Sequence, residues 1–418
     1  GWRVTNPLDS YRDPEGPRRR RGGGDKRRRP TDWLNDRREG RGERALVPDV
    51  EFDSYYGHNV VKPVPWEAPI PIYLFTGGLA AGSQLLAAGA YVTGNAPLRR
   101  VTRLTSGVAT AVSGAALVVD LGRPERFYNM LRVAKLSSPM SVGTWIFSAF
   151  AGGAAPLAGL EALRLLPRKN SGSLASLMGR AEEAVARVGG VRRGAVAPRR
   201  AGVLGFIEDA LDLVEAPSAA LGALAAGPLA TYTAVLLSNT ATPTWAESRQ
   251  HLPFVFAGSA SAAASGNAMV WTPVAHAGPA RALALIGSSV DLVALNRLEK
   301  HLDAHGVGEP LHHGTAGRLN KASLALNVAG SVGTALFARR SRVASVLSGA
   351  CFVAGSMCTR FAVFEAGMES AKDPKYTMAP QRRRLDERGG TGNITTGPRT
   401  ADGRRPLPGP DGRPVLRD

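Results

Sequence analysis

Eight stretches of the chain are apolar for close to the 20 residues that an α-helix needs to cross the roughly 30 Å hydrocarbon core of a bilayer. They fall at about 69–91, 103–120, 141–163, 216–238, 252–275, 281–297, 319–338 and 343–364. Such segments leave few folds open. In lipid every backbone N–H and C=O must be bonded inside the protein, which selects the helix for a single stretch. The expected fold is an all-α integral membrane protein with about eight transmembrane helices in two packed bundles. The second and sixth stretches are short, so seven spans is the next count. The mean hydropathy of −0.09 hides this, because polarity is segregated. Residues 1–65 and 370–418 are rich in Arg, Asp, Gly and Pro without an apolar period, the mark of disordered polar tails. The expected division is a tail 1–65, an eight-helix domain 66–369 carrying a basic insertion at 168–202, and a tail 370–418.

The spans are crowded with small residues, as in "AGSASAAASGNA" from Ala257 to Ala268. Small residues let helix backbones approach in lipid, where hydrophobicity gives no drive for association. A soluble bundle with several charge-free runs of this length is a poor alternative. The net charge of +18 concentrates in runs such as "RRRRGGGDKRRR", Arg18 to Arg29. No apolar region follows that run until about Pro69, so it does not read as a twin-arginine signal. Interleaved acids (Asp25, Asp32, Asp36, Glu39, Glu43) and the lack of a folded module argue against nucleic acid as a partner. A solvated tail beside an anionic lipid bilayer is expected instead.

With eight spans both termini lie on one side, here side A, together with connections 120–140, 239–251 and 298–318. Side B then carries 92–102, 164–215, 276–280 and 339–342. The insertion "RKNSGSLASLMGRAEEAVARVGGVRRGAVAPRR" reads as a surface amphipathic helix plus linker. Trp66, Trp145 and Trp245 fall at side A ends of spans and Trp271 towards side B, as interfacial belt anchors do. Short side B loops hold more Arg and Lys, which favours B as cytoplasmic, while the Arg-rich tails on side A oppose it. Orientation is left unresolved by these two signals.

Between the second and third spans stands "DLGRPERFYNMLRVAKLSSPMSVGTW", Asp120 to Trp145. Gly122 lets the chain leave the span, and Pro124 suits the first turn of a short helix. Phe127, Met130 and Leu131 recur at helical spacing and form an apolar face for the bilayer surface. Arg123, Glu125, Arg126 and Arg132 are left for water or a partner. "SSPMS" breaks that helix, and Ser141 is the expected cap of the next.

This hairpin, with "PIYLFTGGLAAGSQLLAAGA" (Pro71 to Ala90), "GPLATYTAVLLSNTATPTW" (Gly227 to Trp245) and "LPFVFAGSASAAASG" (Leu252 to Gly266), closely resembles the NrfD, polysulfide-reductase-type membrane-anchor family over most of 66–375. The resemblance implies a subunit rather than a stand-alone enzyme: an eight-helix anchor in the bacterial plasma membrane. It would pass electrons between membrane quinone, of the menaquinone or ubiquinone type, and a ferredoxin-like four-cluster iron–sulfur subunit. That subunit would serve a molybdopterin-type catalytic subunit, formate dehydrogenase- or polysulfide reductase-like. On this reading the hairpin docks the iron–sulfur partner at side A, with Arg123, Glu125, Arg126 and Arg132 orienting it.

A quinone needs an apolar slot and hydrogen-bond donors. Tyr73 lies just inside the first span from side A; Tyr232 is six residues, about 9 Å, inside the fourth. His251 begins the fifth on the same side, and Trp145, which closes the hairpin motif, is counted with them. The family resemblance points to the same region. Intramembrane acids are costly and usually functional. Asp291, in the middle of the sixth span, and Glu161, nearer side B, are the proton-relay candidates, with an internal salt bridge to Arg297 or Arg360 the alternative for Asp291. No span carries facing paired histidines, so no haem is expected. Cys351 and Cys358, about 10 Å apart along one helix, suit neither a disulfide nor a cluster of the chain's own. No metal-ligand pattern is visible. The competing class is a small-solute or ion transporter, which would need helices broken at the midplane.

Overall fold

The structure, a computed structural model, describes residues 60–121, 123–166 and 203–387. Gly122, the whole of the insertion 168–202 and most of both expected tails lie outside the described residues. The chain forms two compact units, one of Pro65–Gly367 and one that includes the described residues from Met368 on.

Among the described residues ten helices carry the architecture: α1 (Pro69–Val92), α2 (Ala96–Val119), α3 (Pro139–Leu165), α4 (Val203–Leu213), α5 (Glu215–Ser238), α6 (Leu252–Trp271), α7 (Gly278–Ala304), α8 (Gly314–Leu336), α9 (Arg342–Lys372) and α10 (Lys375–Glu387). Five of the long ones, α1, α2, α3, α6 and α7, have proline in their first two positions. There its missing N–H costs nothing and its fixed φ favours helix. Six helices, α1, α2, α3, α5, α7 and α9, are long and apolar enough to cross a membrane. Two further long helices, α6 and α8, are less apolar. α6 is mostly Ala, Gly and Ser and buries 13 of its residues; α8 carries Arg318 and Lys321 and a buried polar stripe of Asn320, Ser323, Asn327 and Thr334.

α1 packs against α2, α5 and α6, and α6 in turn against α7. Glycine makes these crossings close. A Cβ on Gly82 would lie 2.7 Å from the Ala260 carbonyl oxygen, and one on Gly287 2.8 Å from the Ala262 nitrogen. At Gly153 it would overlap the backbone of Gly222, which brings α3 onto α5. The turn between α1 and α2 is fixed by Gly94 at φ +69 and by Asn95, whose Oδ1 accepts the Leu98 N–H.

Several local expectations are corrected. The second helix starts at Ala96 rather than 103, because Asn95 caps it and three arginines occupy its first turns. Ser138, not Ser141, caps α3; Ser141 instead accepts the Lys135 N–H and donates to the Val133 carbonyl, stitching the hairpin to the helix. The hairpin helix is a 3₁₀ segment, Pro124–Leu131, with none of its residues buried. Trp245 is no belt residue. It is fully buried, stacks near Trp66 and Phe364, and donates its indole N–H to the Val363 carbonyl at 2.7 Å. Residues 375–387, expected as irregular tail, are helical.

Candidate functional site

Tyr73 and Tyr232 come together on one face of α3. Phe147 meets Tyr73 edge-on at 6.3 Å between centroids. One turn earlier, Gly143 faces Tyr232 so closely that any Cβ there would overlap the phenol ring. Residues four apart share a helix face, so the two tyrosines are neighbours across α3. The Tyr232 hydroxyl donates to the Pro139 carbonyl oxygen. Tyr73 is only 2% exposed, yet its hydroxyl has no hydrogen-bond partner among the described residues.

Next to Tyr73, Gly77 leaves room that the Tyr73 ring and Ser113 Oγ flank, each 3.8 Å from a Cβ built there. Ser113 on α2 shares a 2.7 Å hydrogen bond with Thr76 on α1. Thr76 heads a groove of about 550 Å³ running down between α1, α2 and α6. Its walls are Leu79, Val101, Val108 and Val112, with Thr105, Asn267 and Trp271 towards the far end. Asn267 donates to Thr105 Oγ1 at 2.8 Å, closing two polar groups on each other. Val108, Val112 and Trp271 are exposed on the outer surface of the helices. An apolar slot of this size with a few convergent polar groups is what a small apolar ligand needs.

The hairpin lies at the same end of the helices as the tyrosines. Arg123, Glu125, Arg126 and Arg132 are solvent-facing and make no ion pair among the described residues. Around them Phe127, Tyr128, Leu131, Val133 and Leu136 are exposed. Asp120, the C-cap of α2, has its carboxyl raised above the usual range by burial and by the nearby Glu67 carboxylate.

The other sequence candidates sit elsewhere. Trp145 is two residues, about 200° of rotation, from Gly143; it points outward and donates to the hairpin carbonyl of Val133 at 3.3 Å. His251 stacks on His301, which stacks on His305, with Glu247 alongside. Burial, then His301 and Arg297, hold the His251 imidazole below its ordinary pKa. Glu161 is fully buried at the opposite end within 4 Å of Arg99, Arg100, Arg103 and Arg164; Arg103 also bonds Glu215 at 2.6 Å. A carboxylate clamped by four guanidiniums is a tie between α2, α3 and α5. Asp291 is fully buried, accepting from Asn327 Nδ2 at 3.2 Å and Thr359 Oγ1 at 3.5 Å. Arg360 makes no direct ion pair with it among the described residues. Its Nε and Nη2 donate to Ser259 and the Phe256 carbonyl, and its guanidinium lies 3.8 Å from the Phe256 ring centre. Asp291 Oδ1 and Arg360 Nη1 both lack a hydrogen-bond partner among the described residues.

Sequence reasoning missed Thr76, Ser113, Gly143 and the groove. Gly143 lay in the quoted "SVGTW", and its lack of a side chain beside a motif tyrosine was the available signal. Residues 58–277, more than half of the chain, match the family model described as Polysulphide reductase, NrfD. That match ends before α7, so the tyrosines, groove and hairpin lie inside it and Asp291 outside. No curated protein matches the sequence.

Proposed function

From the premise that the chain belongs to the polysulphide reductase NrfD family, we propose that this multi-pass membrane protein is the quinone-reactive anchor of a respiratory oxidoreductase complex in a bacterial plasma membrane. It would pass electrons between the quinone pool and a ferredoxin-like iron–sulfur subunit, with a molybdopterin-type subunit carrying the substrate chemistry. The eight long helices would be its spans, with Ser259 and Ser265 of α6 and Asn320, Ser323, Asn327 and Thr334 of α8 buried against neighbours and the exposed Arg318 and Lys321 near the start of α8.

The observation that carries the reading is the groove that opens on the outer helix surface and ends at Thr76, which is hydrogen-bonded to Ser113 and lies one turn along α1 from Tyr73. A quinone lives in the bilayer, so its site must open sideways to lipid. The valines would take the isoprenoid tail and Tyr73 would donate to a ring oxygen. Bound quinone supplies the two-electron, two-proton chemistry. Tyr232, held by the Pro139 carbonyl and pressed against Gly143, links the site to the first turn of α3, directly after the hairpin. The hairpin's unpaired charges and exposed aromatics are the docking surface for the iron–sulfur partner, which places its terminal cluster at the tyrosine end.

Asp291 is proposed as a proton-carrying group. It lies in a hydrogen-bonded file of Asn327, Ser323 with Thr359 at 2.6 Å, and Ser288 with Ser331 at 3.0 Å, the last two meeting the Asn327 carbonyl. α7 runs unbroken past Asp291, unlike the discontinuous helices typical of secondary-transporter sites. The test is purification from native membranes followed by filling of the groove with Val108→Trp and Val112→Trp. Co-purifying iron–sulfur and molybdopterin subunits are expected, with quinone-linked turnover lost and dye-linked turnover kept. Undiminished quinone turnover in the filled variant would remove the groove from the pathway.

A further inference from the structure

Sequence analysis finds no metal-ligand pattern, since the acid that faces the His301–His305 pair lies 54 residues before it. We propose that Glu247, His301 and His305 form a binding site for one divalent transition-metal ion of the zinc class. Glu247 ends the short helix Pro243–Glu247 in the connection between α5 and α6; His301 lies in the last turn of α7 and His305 caps it. Two histidines four apart present their rings on one helix face.

The donor atoms already converge. His301 Nε2 is 3.2 Å and His305 Nε2 3.7 Å from the same Glu247 oxygen, Oε1. All three ligand atoms lie within 4.8 Å of one another. Tetrahedral zinc with bonds of 2.0–2.1 Å sets neighbouring ligand atoms about 3.3–3.4 Å apart. The carboxylate–imidazole distances bracket that value and the two imidazole nitrogens lie no more than 4.8 Å apart, so side-chain rotations would close the set on one ion. The second ring nitrogen of His305 is also placed as a ligand requires: Nδ1 bonds the His301 carbonyl at 2.7 Å. That bond fixes the tautomer with the Nε2 lone pair directed at the site, as backbone carbonyls do behind metal-bound histidines. The ion would lie off the carboxyl end of α7, the negative end of its dipole. Two imidazoles and one carboxylate, with room for water, is a borderline donor set that suits zinc better than magnesium or calcium, which prefer all-oxygen cages. Binding would displace the proton shared by His301 Nε2 and Glu247 Oε1 to solvent and staple together two segments 54 residues apart in sequence.

The test uses the full chain in detergent, purified through a tag without histidine and stripped with EDTA. ZnCl2 is titrated against a chelating dye, with thermal unfolding followed in parallel. One equivalent should bind saturably and raise Tm, and excess Mg2+ or Ca2+ should not displace it. His305→Ala should weaken binding by at least about 100-fold, beyond the roughly 10- to 100-fold that loss of an outer-shell partner costs. Glu247→Gln, which keeps the hydrogen bonding and shape, should weaken it at least about 10-fold and serves if the alanine variant does not fold. His312→Ala with His313→Ala, on the neighbouring loop, should bind as wild type. No saturable equivalent, an equivalent that survives Glu247→Gln, or displacement by Ca2+ would each overturn the assignment. Because the titration needs neither quinone nor partner subunits, its failure is independent of the electron-transfer reading.

Discussion

Tyr73→Phe and Tyr232→Phe remove the same atom from neighbouring rings, and the structure separates their consequences. Tyr73 has no hydrogen bond among the described residues, and its ring packs edge-on against Phe147. Phenylalanine keeps that packing, so folding stability should change by less than about 0.5 kcal/mol. If the hydroxyl donates to a quinone oxygen that gains negative charge during reduction, its loss costs roughly 1.5–3 kcal/mol. At about 1.36 kcal/mol per decade that is a fall of about 10- to 150-fold in quinone-linked turnover. Tyr232 is the reverse case. Its hydroxyl already donates to Pro139, so Tyr232→Phe should lose about 0.6–1.5 kcal/mol of stability and only a few-fold in turnover.

The assay is reconstituted complex in nanodiscs, with a soluble quinol or quinone analogue at one electron port and an artificial dye at the catalytic subunit. Dye turnover and subunit stoichiometry report the integrity of everything except the quinone site. The reasoning fails if Tyr73→Phe retains quinone turnover, or if both variants lose turnover and stability equally, since then neither hydroxyl is distinguished by function.

Gly143→Ala should destabilise the anchor by about 1–3 kcal/mol, since the new methyl overlaps the Tyr232 ring; a lowered Tm with recovery in Gly143→Ala, Tyr232→Leu would locate the strain. Arg123→Glu with Arg126→Glu should release the iron–sulfur subunit while leaving the anchor inserted, read by gel filtration of the solubilised complex. Glu161→Gln leaves four arginines around a neutral amide and should cost about 3–5 kcal/mol, seen as loss of folded protein in membranes. Asp291→Asn should leave assembly and dye turnover intact and abolish any proton movement coupled to quinone turnover, measured with a pH-sensitive dye in sealed vesicles; unchanged coupling would return Asp291 to a structural role.

The long helices were legible in the sequence because lipid allows so few alternatives, and the hairpin because charge is conspicuous between apolar runs. Helix rotation was not. Depth along a span follows from counting residues, so Tyr73, Tyr232, His251 and Trp145 could all be assigned to one end. Which way each faces depends on about 100° per residue and on packing that no single segment encodes. Trp145 shares a turn with Gly143 yet faces the hairpin, whereas Gly143 is where Tyr232 packs. His251 shares its depth with the tyrosines but stacks on His301. The same limit hid the partnerships between distant residues, Thr76 with Ser113 and Glu247 with His301. In a membrane bundle the polar residues that escape burial cost do so by meeting across helices, so a polar residue seen alone in an apolar run is half of a pair whose other half the sequence does not name. Glu161 shows how far this alters a reading: isolated in its span it suggests a proton carrier, and surrounded by Arg99, Arg100, Arg103 and Arg164 it is a tie that holds three helices together. Arg99, Arg100 and Arg103 are in turn part of the positive charge that sequence counting assigned to the short side B loops. Charge already committed to an internal carboxylate is weaker evidence for membrane orientation than charge free to meet the lipid surface.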